Sequence, residues 1–406
     1  NRGEHHTQGK LTEILGLVET LGDKVCGHKV YSLQKPNPKT LLGSGVLADV
    51  AAQASALGAN LLVFDAQLSP SQMRNLENIT GLAISDREGV ILNVFMHHAK
   101  TRSARIQIEL AQLAYLRPRI RGIGLNMDQQ AGGIGAGKGP GETVSELLAR
   151  RIDKRLAQLQ KSAKKLEVAG VNQRSARSNC KSIALVGYTN AGKTSLMNAL
   201  TNAGLSARNA PFETLDTTTR VLCRRPGMDV LLSDTVGFIR NLPERLLASF
   251  ETTMAQVVES NLLVITVDVS DPDHPLHLAT TQMLLAKLGA EKLPQFYVFT
   301  KADLAGREVT NEYCQTLCQG NEHLILSCYD SVAVAQLRDE LVKKVSASHQ
   351  QFKVFVPHQA GRVLAKIHAQ TRILASKSSE KGTVFTLEGE AGVLSEIKTL
   401  SKEVQL

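Results

Sequence analysis

Gly187-Tyr188-Thr189-Asn190-Ala191-Gly192-Lys193-Thr194-Ser195 decides the fold of this 406-residue chain. The apolar run Ile183, Ala184, Leu185, Val186 precedes it, and Leu196, Met197, Ala199 and Leu200 follow at helical spacing. Strand, glycine loop, lysine, hydroxyl and helix form the context in which G-x-x-x-x-G-K-[ST] binds phosphate. Such glycines let main-chain N–H groups close around a triphosphate, and the positive end of the following helix favours it. Lys193 is placed to neutralise the β- and γ-phosphates, and the Thr194 hydroxyl to bind Mg²⁺. Asn190 is placed to help hold a K⁺ ion beside the same phosphates.

Working outward, strand-like runs at 183–186, 229–233, 262–269, 296–299 and 324–327 alternate with helical segments. This predicts a doubly wound domain over 179–346 with its nucleotide at the strand C-termini. Twenty residues after Thr194, Thr214 stands in Phe212-Glu213-Thr214-Leu215-Asp216, where a hydroxyl completes Mg²⁺ coordination and senses the γ-phosphate. Asp234, Thr235, Val236 and Gly237 end a later strand. The carboxylate suits an outer partner of Mg²⁺, and the Gly237 N–H suits the γ-phosphate. Lys193, Thr214 and Gly237 are thus the catalytic candidates, and Thr194 and Thr214 the metal ligands. Thr300-Lys301-Ala302-Asp303 matches the guanine-reading pattern N-K-x-D, with Asp303 accepting from guanine N1–H and the 2-amino group. Ser327 and Cys328 take the place of the loop that backs the base. Each element is weak alone; four in order, each at a strand end, specify a GTP site.

Two residues depart from that scheme. Thr300 stands where an asparagine amide normally braces the phosphate and base loops, which predicts lower nucleotide affinity, partly offset by the hydroxyl. Phe238 follows Gly237 where Ras-type enzymes carry a water-orienting glutamine, which predicts slow intrinsic hydrolysis.

Composition is that of a folded protein, 43% hydrophobic and 21% charged, so wholesale disorder is not expected. With no tryptophan and 4% aromatic residues, aromatic base-stacking is not the expected binding mode. Six cysteines without a C-x-x-C pair indicate neither zinc nor a disulfide framework, so reduced thiols in a cytosol-like compartment are expected. The chain starts at Asn1 rather than Met, which leaves an organellar location open. No apolar stretch approaches a membrane span. Net charge is +9. Between Arg150 and Lys181, ten lysines and arginines face only Asp153 and Glu167, so one segment supplies nearly the whole imbalance. It reads either as a solvated helix face or as a contact for a polyanion.

Residues 1–98 read as a small α/β unit, with strands at 30–32, 61–65 and 82–85 alternating with helices at 11–21, 46–57 and 70–78. The apolar stretch 90–96 is strand or helix. Apolar spacing makes helices of 100–116 and 143–168, an antiparallel hairpin spanning 99–178. Its loop, R-P-R-I-R-G-I-G-L-N-M-D-Q-Q-A-G-G-I-G-A-G-K-G-P-G (Arg117 to Gly141), is either a plain linker or a basic probe for structured RNA that orders on binding. Candidate RNA contacts are Arg117, Arg119, Arg121, Lys138, Arg150, Arg151, Lys154 and Arg155. Residues 347–406 predict a small α+β domain: a strand near Val354, a helix at 359–374 and a strand at 383–387.

The sequence resembles the HflX family of ribosome-associated GTPases. The likeness rests on F-D-A-Q-L-S-P-S-Q-M-R-N-L-E (Phe64 to Glu77), T-R-S-A-R-I-Q-I-E-L-A (Thr101 to Ala111), A-G-G-I-G-A-G-K-G-P-G-E-T (Ala131 to Thr143), the phosphate loop, F-E-T-L-D, and D-T-V-G-F-I-R-N-L-P (Asp234 to Pro243). The resemblance implies that 187–194 bind phosphates, that Thr194 and Thr214 bind Mg²⁺, that Asp234 to Gly237 form switch II, and that an apolar residue at Phe238 is ordinary. It also implies a hairpin directed at the peptidyl-transferase region, and the splitting or recycling of stalled ribosomes by a monomer that binds the large ribosomal subunit and its rRNA. Thr300 for Asn, Thr217 for Pro, and V-S-E-L-L-A-R-R (Val144 to Arg151) for a more acidic run depart from the family. Two other readings stand beside it: a large-subunit assembly factor, and a nucleotide-independent RNA-binding module with a degenerate GTP site.

Overall fold

A computed structural model of the chain describes residues 2–120, 144–175, 180–201, 218–225, 228–243, 245–246, 251–306, 309–346, 349–379 and 381–403. The chain divides into two compact units, Asn1–Gly170 with Asn209–Asp216 and Asn241–Thr252, and Val171–Arg208 with Thr217–Arg240 and Thr253–Leu406.

The first unit holds α1 (Arg2–Thr20), α2 (Ser44–Ala56), β1 (Leu61–Phe64), α3 (Pro70–Thr80), β2 (Ala83–Asp86), α4 (Arg87–His98), α5 (Arg102–Leu116) and most of α6 (Val144–Ser175). β1 and β2 pair in parallel across the crossover helix α3. Ser69 starts α3 with a reciprocal capping box to Gln72, and Pro70 occupies its first turn. The ambiguous run 90–96 is helical. Val90, Ile91, Leu92, Val94 and Phe95 are all at most 2% exposed, and a helix buried all round shows no amphipathic period to read. The strand expected at 30–32 does not form; those residues lie in an irregular stretch. Two ion pairs tie α5 to α6, both two-pronged: Arg117 to Asp153 at 2.7 and 2.8 Å, and Arg155 to Glu109 at 2.6 and 3.0 Å. Going up α5 from 109 to 117 means going down α6 from 155 to 153, as an antiparallel pair requires.

A polar knot sits inside this unit. Asp86, fully buried, caps α4 through Gly89 N–H (2.8 Å) and accepts from Leu68 N–H (3.2 Å), the Tyr115 hydroxyl (2.8 Å) and Arg119 Nη2 (3.2 Å). The Arg119 guanidinium also lies 3.5 Å from the Tyr115 ring centroid. Burial, and then the Asp86 charge, push the Tyr115 phenol well above its ordinary range.

The second unit contains a six-stranded sheet in the order β4-β5-β3-β6-β7-β8, formed by β3 (Cys180–Gly187), β4 (Thr218–Arg225), β5 (Met228–Asp234), β6 (Leu262–Asp268), β7 (Gln295–Thr300) and β8 (His323–Ile325). All pairs are parallel except the edge pair β4/β5. Its helices are α7 (Lys193–Thr201), α8 (Glu251–Val258, divided with the first unit), α9 (His274–Lys287), α10 (Asn311–Leu317) and α11 (Ser331–Ser346). The central strands carry unbroken apolar runs, Ile183–Val186, Leu262–Ile265 and Phe296–Phe299, because both faces are covered there. Ile183, Leu185, Leu262, Val264, Phe296 and Val298 share a core with Leu196 and Met197 of α7 and Leu337 and Leu341 of α11. The alternate residues Ala184, Val186 and Ile265 are equally buried, and α9 packs on β3 and β6.

Beyond this sheet, β9 (His349–Pro357), α12 (Gly361–Gln370), β10 (Arg372–Ser379), β11 (Gly382–Glu390) and α13 (Ala391–Glu403) build an antiparallel sheet of order β10-β11-β9 with its own core around Val356, Ile367, Leu387 and Ile397. The helix expected at 359–374 ends at Gln370, and residues 372–374 belong to β10 instead.

Removing the Asp86 carboxylate leaves the Arg119 guanidinium, 11% exposed, without its counter-charge. Asp86→Ala should destabilise the first unit by about 3 kcal/mol, read as faster hydrogen exchange of the α4 and β2 amides. Exchange rates matching the parent chain would show that the knot is not structural.

Candidate functional site

The site forms where β3 meets α7. β3 ends at Gly187, where no side chain fits: a Cβ would lie 2.3 Å from the Thr266 carbonyl oxygen. The loop then turns through Asn190 at φ 61° and Gly192 at φ 83°, main-chain geometry that glycine and asparagine tolerate best. Lys193 opens α7, 6% exposed, and donates to the carbonyls of Tyr188 (2.7 Å) and Gly187 (3.2 Å). Burial pushes its ammonium down to about 8, with Asp234 acting in the opposite sense. Next to it the Thr194 hydroxyl donates to Asp234 Oδ2 at 2.7 Å. A hydroxyl and a carboxylate oxygen in contact, the latter fully buried, are the hard donor set that suits Mg²⁺.

Residues 234–240, which include the expected switch II, are joined to the phosphate loop. Phe238 pairs with Tyr188 as an isolated parallel bridge, through Thr189 N–H to Phe238 O (2.7 Å) and Phe238 N–H to Gly187 O (3.0 Å). Leu185 is opposite Asp234, and Tyr188 is opposite Phe238, so switch II carries one residue more over the same span. Gly237 lies in that excess. A Cβ there would be 2.8 Å from Thr189 Cα and 3.1 Å from Lys193 Nζ, so only glycine brings its backbone this close to the ammonium. The Phe238 side chain is fully buried and turned into the core, where it can neither meet nor orient water. Thr235 donates to Leu185 O at 2.7 Å and locks the strand end beneath.

On the base side, Thr300 is fully buried. Its hydroxyl lies 2.8 Å from Ala191 O and 3.1 Å from Val267 O, so the threonine itself reaches the phosphate loop, with one proton between two acceptors. Lys301, at φ 57°, pairs with Asp268 at 2.6 Å. Asp303 is exposed. Ala302 N–H to Leu326 O, 3.4 Å, ties this loop to the strand end bearing Ser327 and Cys328. Burial, then Asp303, push the Cys328 thiol up to about 11.

Phe212, Glu213, Thr214, Leu215, Asp216, Arg121 and Lys138 lie outside the described residues. Of the candidate RNA contacts, Arg119 is turned inward onto Asp86 and is no surface cation. Arg117 and Arg155 are engaged by Asp153 and Glu109. Arg150, Arg151 and Lys154 are exposed on α6. Sequence reading missed the stack of the Tyr188 ring on the His277 imidazole and the pairing of Phe238 with the phosphate loop, which no spacing announces. A thiol–imidazole–amide line runs from Cys318 Sγ to His323 Nδ1 (3.6 Å) and from His323 Nε2 to Asn311 Oδ1 (2.8 Å). Cys318 is fully buried and its thiol pushed up by burial, so it is a packing thiol and not a nucleophile. Among the described residues no cluster of three metal-ligating side chains occurs, and no helix is long and apolar enough to cross a membrane.

Three family models match successive parts of the chain up to residue 301: GTP-binding GTPase N-terminal (residues 8–96), GTP-binding GTPase middle region (98–177) and 50S ribosome-binding GTPase (182–301). The GTPase HflX of Alkalihalophilus pseudofirmus is 35% identical over 393 residues, 96% of this chain and 91% of that protein. That of Gluconacetobacter diazotrophicus is 34% identical over 96% of this chain and 93% of its own length, and that of Escherichia coli 31% over 92% and 88%. Among solved structures, a GTP-binding protein of Sulfolobus solfataricus in complex with GDP is 22% identical at a TM-score of 0.44, covering 83% of this chain and 95% of that one.

The depressed Lys193 ammonium has a measurable consequence. Phosphate favours the charged form, so a bound nucleotide should return the pKa toward or above its ordinary value. Below pH 8 the free protein already carries that proton; above it, binding must take one up. Calorimetry of GDP binding in buffers of different ionisation heat should give uptake of most of a proton at pH 8.5 and little at pH 7. Equal uptake at both values would mean that Lys193 is not depressed in the free protein.

Proposed function

The chain belongs to the HflX family of GTPases, and from that premise we propose that its GTP form binds the large ribosomal subunit and splits or recycles stalled ribosomes, with hydrolysis releasing it. The observation that carries this reading is the charge on α6. Arg151, Lys154, Lys161, Lys164 and Lys165 are exposed, while Ile152 and Leu159 are buried on the opposite side. A helix held by its apolar face and cationic along its free face suits an RNA backbone. The family model over 182–301, described as a 50S ribosome-binding GTPase, supports the same partner.

In this reading the chain acts as a monomer in the cytoplasm, in four parts: 1–98, the hairpin 99–178, the GTPase 179–346 and the C-terminal 347–406. Main-chain N–H groups of 187–194 cradle the phosphates, Lys193 neutralises them, Gly237 N–H reads the γ-phosphate, and Asp303 selects guanine. Thr194, with Thr214 and Asp234 beyond it, would hold Mg²⁺, which when bound supplies charge neutralisation across the β- and γ-phosphates. Asn190 would hold K⁺ in the same region. With Phe238 buried in the core, switch II carries no water-orienting side chain at that position, so intrinsic hydrolysis is slow and the ribosome stimulates it.

Sedimentation of intact ribosomes with the protein, in GDP or in a non-hydrolysable GTP analogue, tests the reading. Separated subunits, with the protein on the large one only in the analogue and not for Lys193→Ala, are expected. Binding to the large subunit with ribosomes left intact would favour an assembly factor, and binding indifferent to nucleotide an RNA module with a degenerate GTP site. For the cation, hydrolysis should be faster in K⁺ than in Na⁺; equal rates would remove K⁺ from the mechanism.

A further inference from the structure

Tyr188 is the second residue of the phosphate loop, yet its side chain has no place in the phosphate cradle, which consists of main-chain N–H groups and Lys193. It is 5% exposed. Its ring lies flat on the imidazole of His277 in α9, with centroids 3.8 Å apart and planes 9° from parallel. Asp271 Oδ2 approaches that imidazole's Nδ1 at 3.6 Å. The ring is therefore fixed from one side by an aromatic stack. Beside it is a small pocket bordered by Asn190, Asp268, His277 and Thr281. At its tip, Tyr188 Oη accepts the N–H of Arg240 at 3.1 Å.

That last bond reaches switch II three residues past Gly237. With the two bonds between Phe238 and the loop backbone, it makes a third rung joining the two segments. The first two rungs are main chain to main chain; the third depends on a side chain. Between them Gly237 sits against the Lys193 ammonium, where the terminal phosphate must come.

We propose that the Tyr188 hydroxyl is a latch that holds switch II in register with the phosphate loop, and that this positioning residue sets the preference for GTP over GDP. Its hydroxyl bonds the main chain of Arg240, three residues past Gly237. It acts by presetting the Gly237 main chain, so that a γ-phosphate meets an N–H already in place rather than one it must order. GDP lacks the group that Gly237 reads, so the latch is felt by GTP alone.

The test uses the full chain with Tyr188→Phe, which keeps the ring and its stack on His277 and removes only the acceptor. Affinities for GDP and for a non-hydrolysable GTP analogue are measured, together with single-turnover hydrolysis of GTP. Loss of one neutral hydrogen bond is expected to lower analogue affinity relative to GDP by about three- to tenfold, with hydrolysis falling in similar proportion. Tyr188→Ala, which also removes the stack, should weaken both nucleotides. Phenylalanine should then restore GDP binding but not the preference for the analogue. A Tyr188→Phe protein whose two affinities shift equally, or not at all, would overturn the latch. So would restoration of both properties by phenylalanine.

Discussion

A buried ammonium is the constraint around which the second unit is arranged. Lys193 is desolvated and held by two main-chain carbonyls, those of Gly187 and Tyr188, and a charge in that position is costly until an anion arrives. To present those carbonyls, β3 must run to Gly187 against Thr266 with no side chain between. To present the N–H groups, the loop must then turn through left-handed geometry at Asn190 and Gly192. The sheet, α7 and switch II take their places from those demands. Asp234 lies near enough to oppose the depression of Lys193 while its Oδ2 is taken by Thr194.

The base side shows what one substitution of amide by hydroxyl does. An asparagine would offer two donors and an acceptor; Thr300 offers a single proton, shared between Ala191 O and Val267 O. The brace between the phosphate loop and the base loop is therefore kept but thinner. Lys301 compensates in part by fastening the same loop to Asp268 at the end of β6.

Legibility followed the physics of each segment. The parallel strands and the phosphate loop were readable because burial on both faces leaves unbroken apolar runs, and because glycine is demanded at points of close approach. β4, an edge strand reading T-T-R-V-L-C-R-R, and β10, exposed along almost its whole length, carry no such signal; their pairing comes from neighbours. The buried α4 hid its period for the opposite reason, being apolar on every side. Arg119 was misread as an RNA contact because composition counts charges and not directions. Its partner Asp86 is 33 residues earlier, and only the fold brings them together. Tyr188 was legible as a loop residue, but its stack on His277 and its bond to Arg240 are products of tertiary structure.

The pairing of Phe238 with the phosphate loop changes what kind of object switch II is. It continues the β3/β5 ladder past its end, so the segment is less a free loop than the last rungs of a sheet. Opening the nucleotide pocket then amounts to fraying of a strand end. Two rungs of main-chain bonding and a third to the Tyr188 hydroxyl set a scale of about 1–4 kcal/mol for that event, comparable with the free-energy differences by which a ligand shifts such an equilibrium. The pocket's two states would therefore be neighbours in energy, and the trigger for passing between them is as small as the closing or breaking of a few hydrogen bonds at the edge of an otherwise rigid sheet.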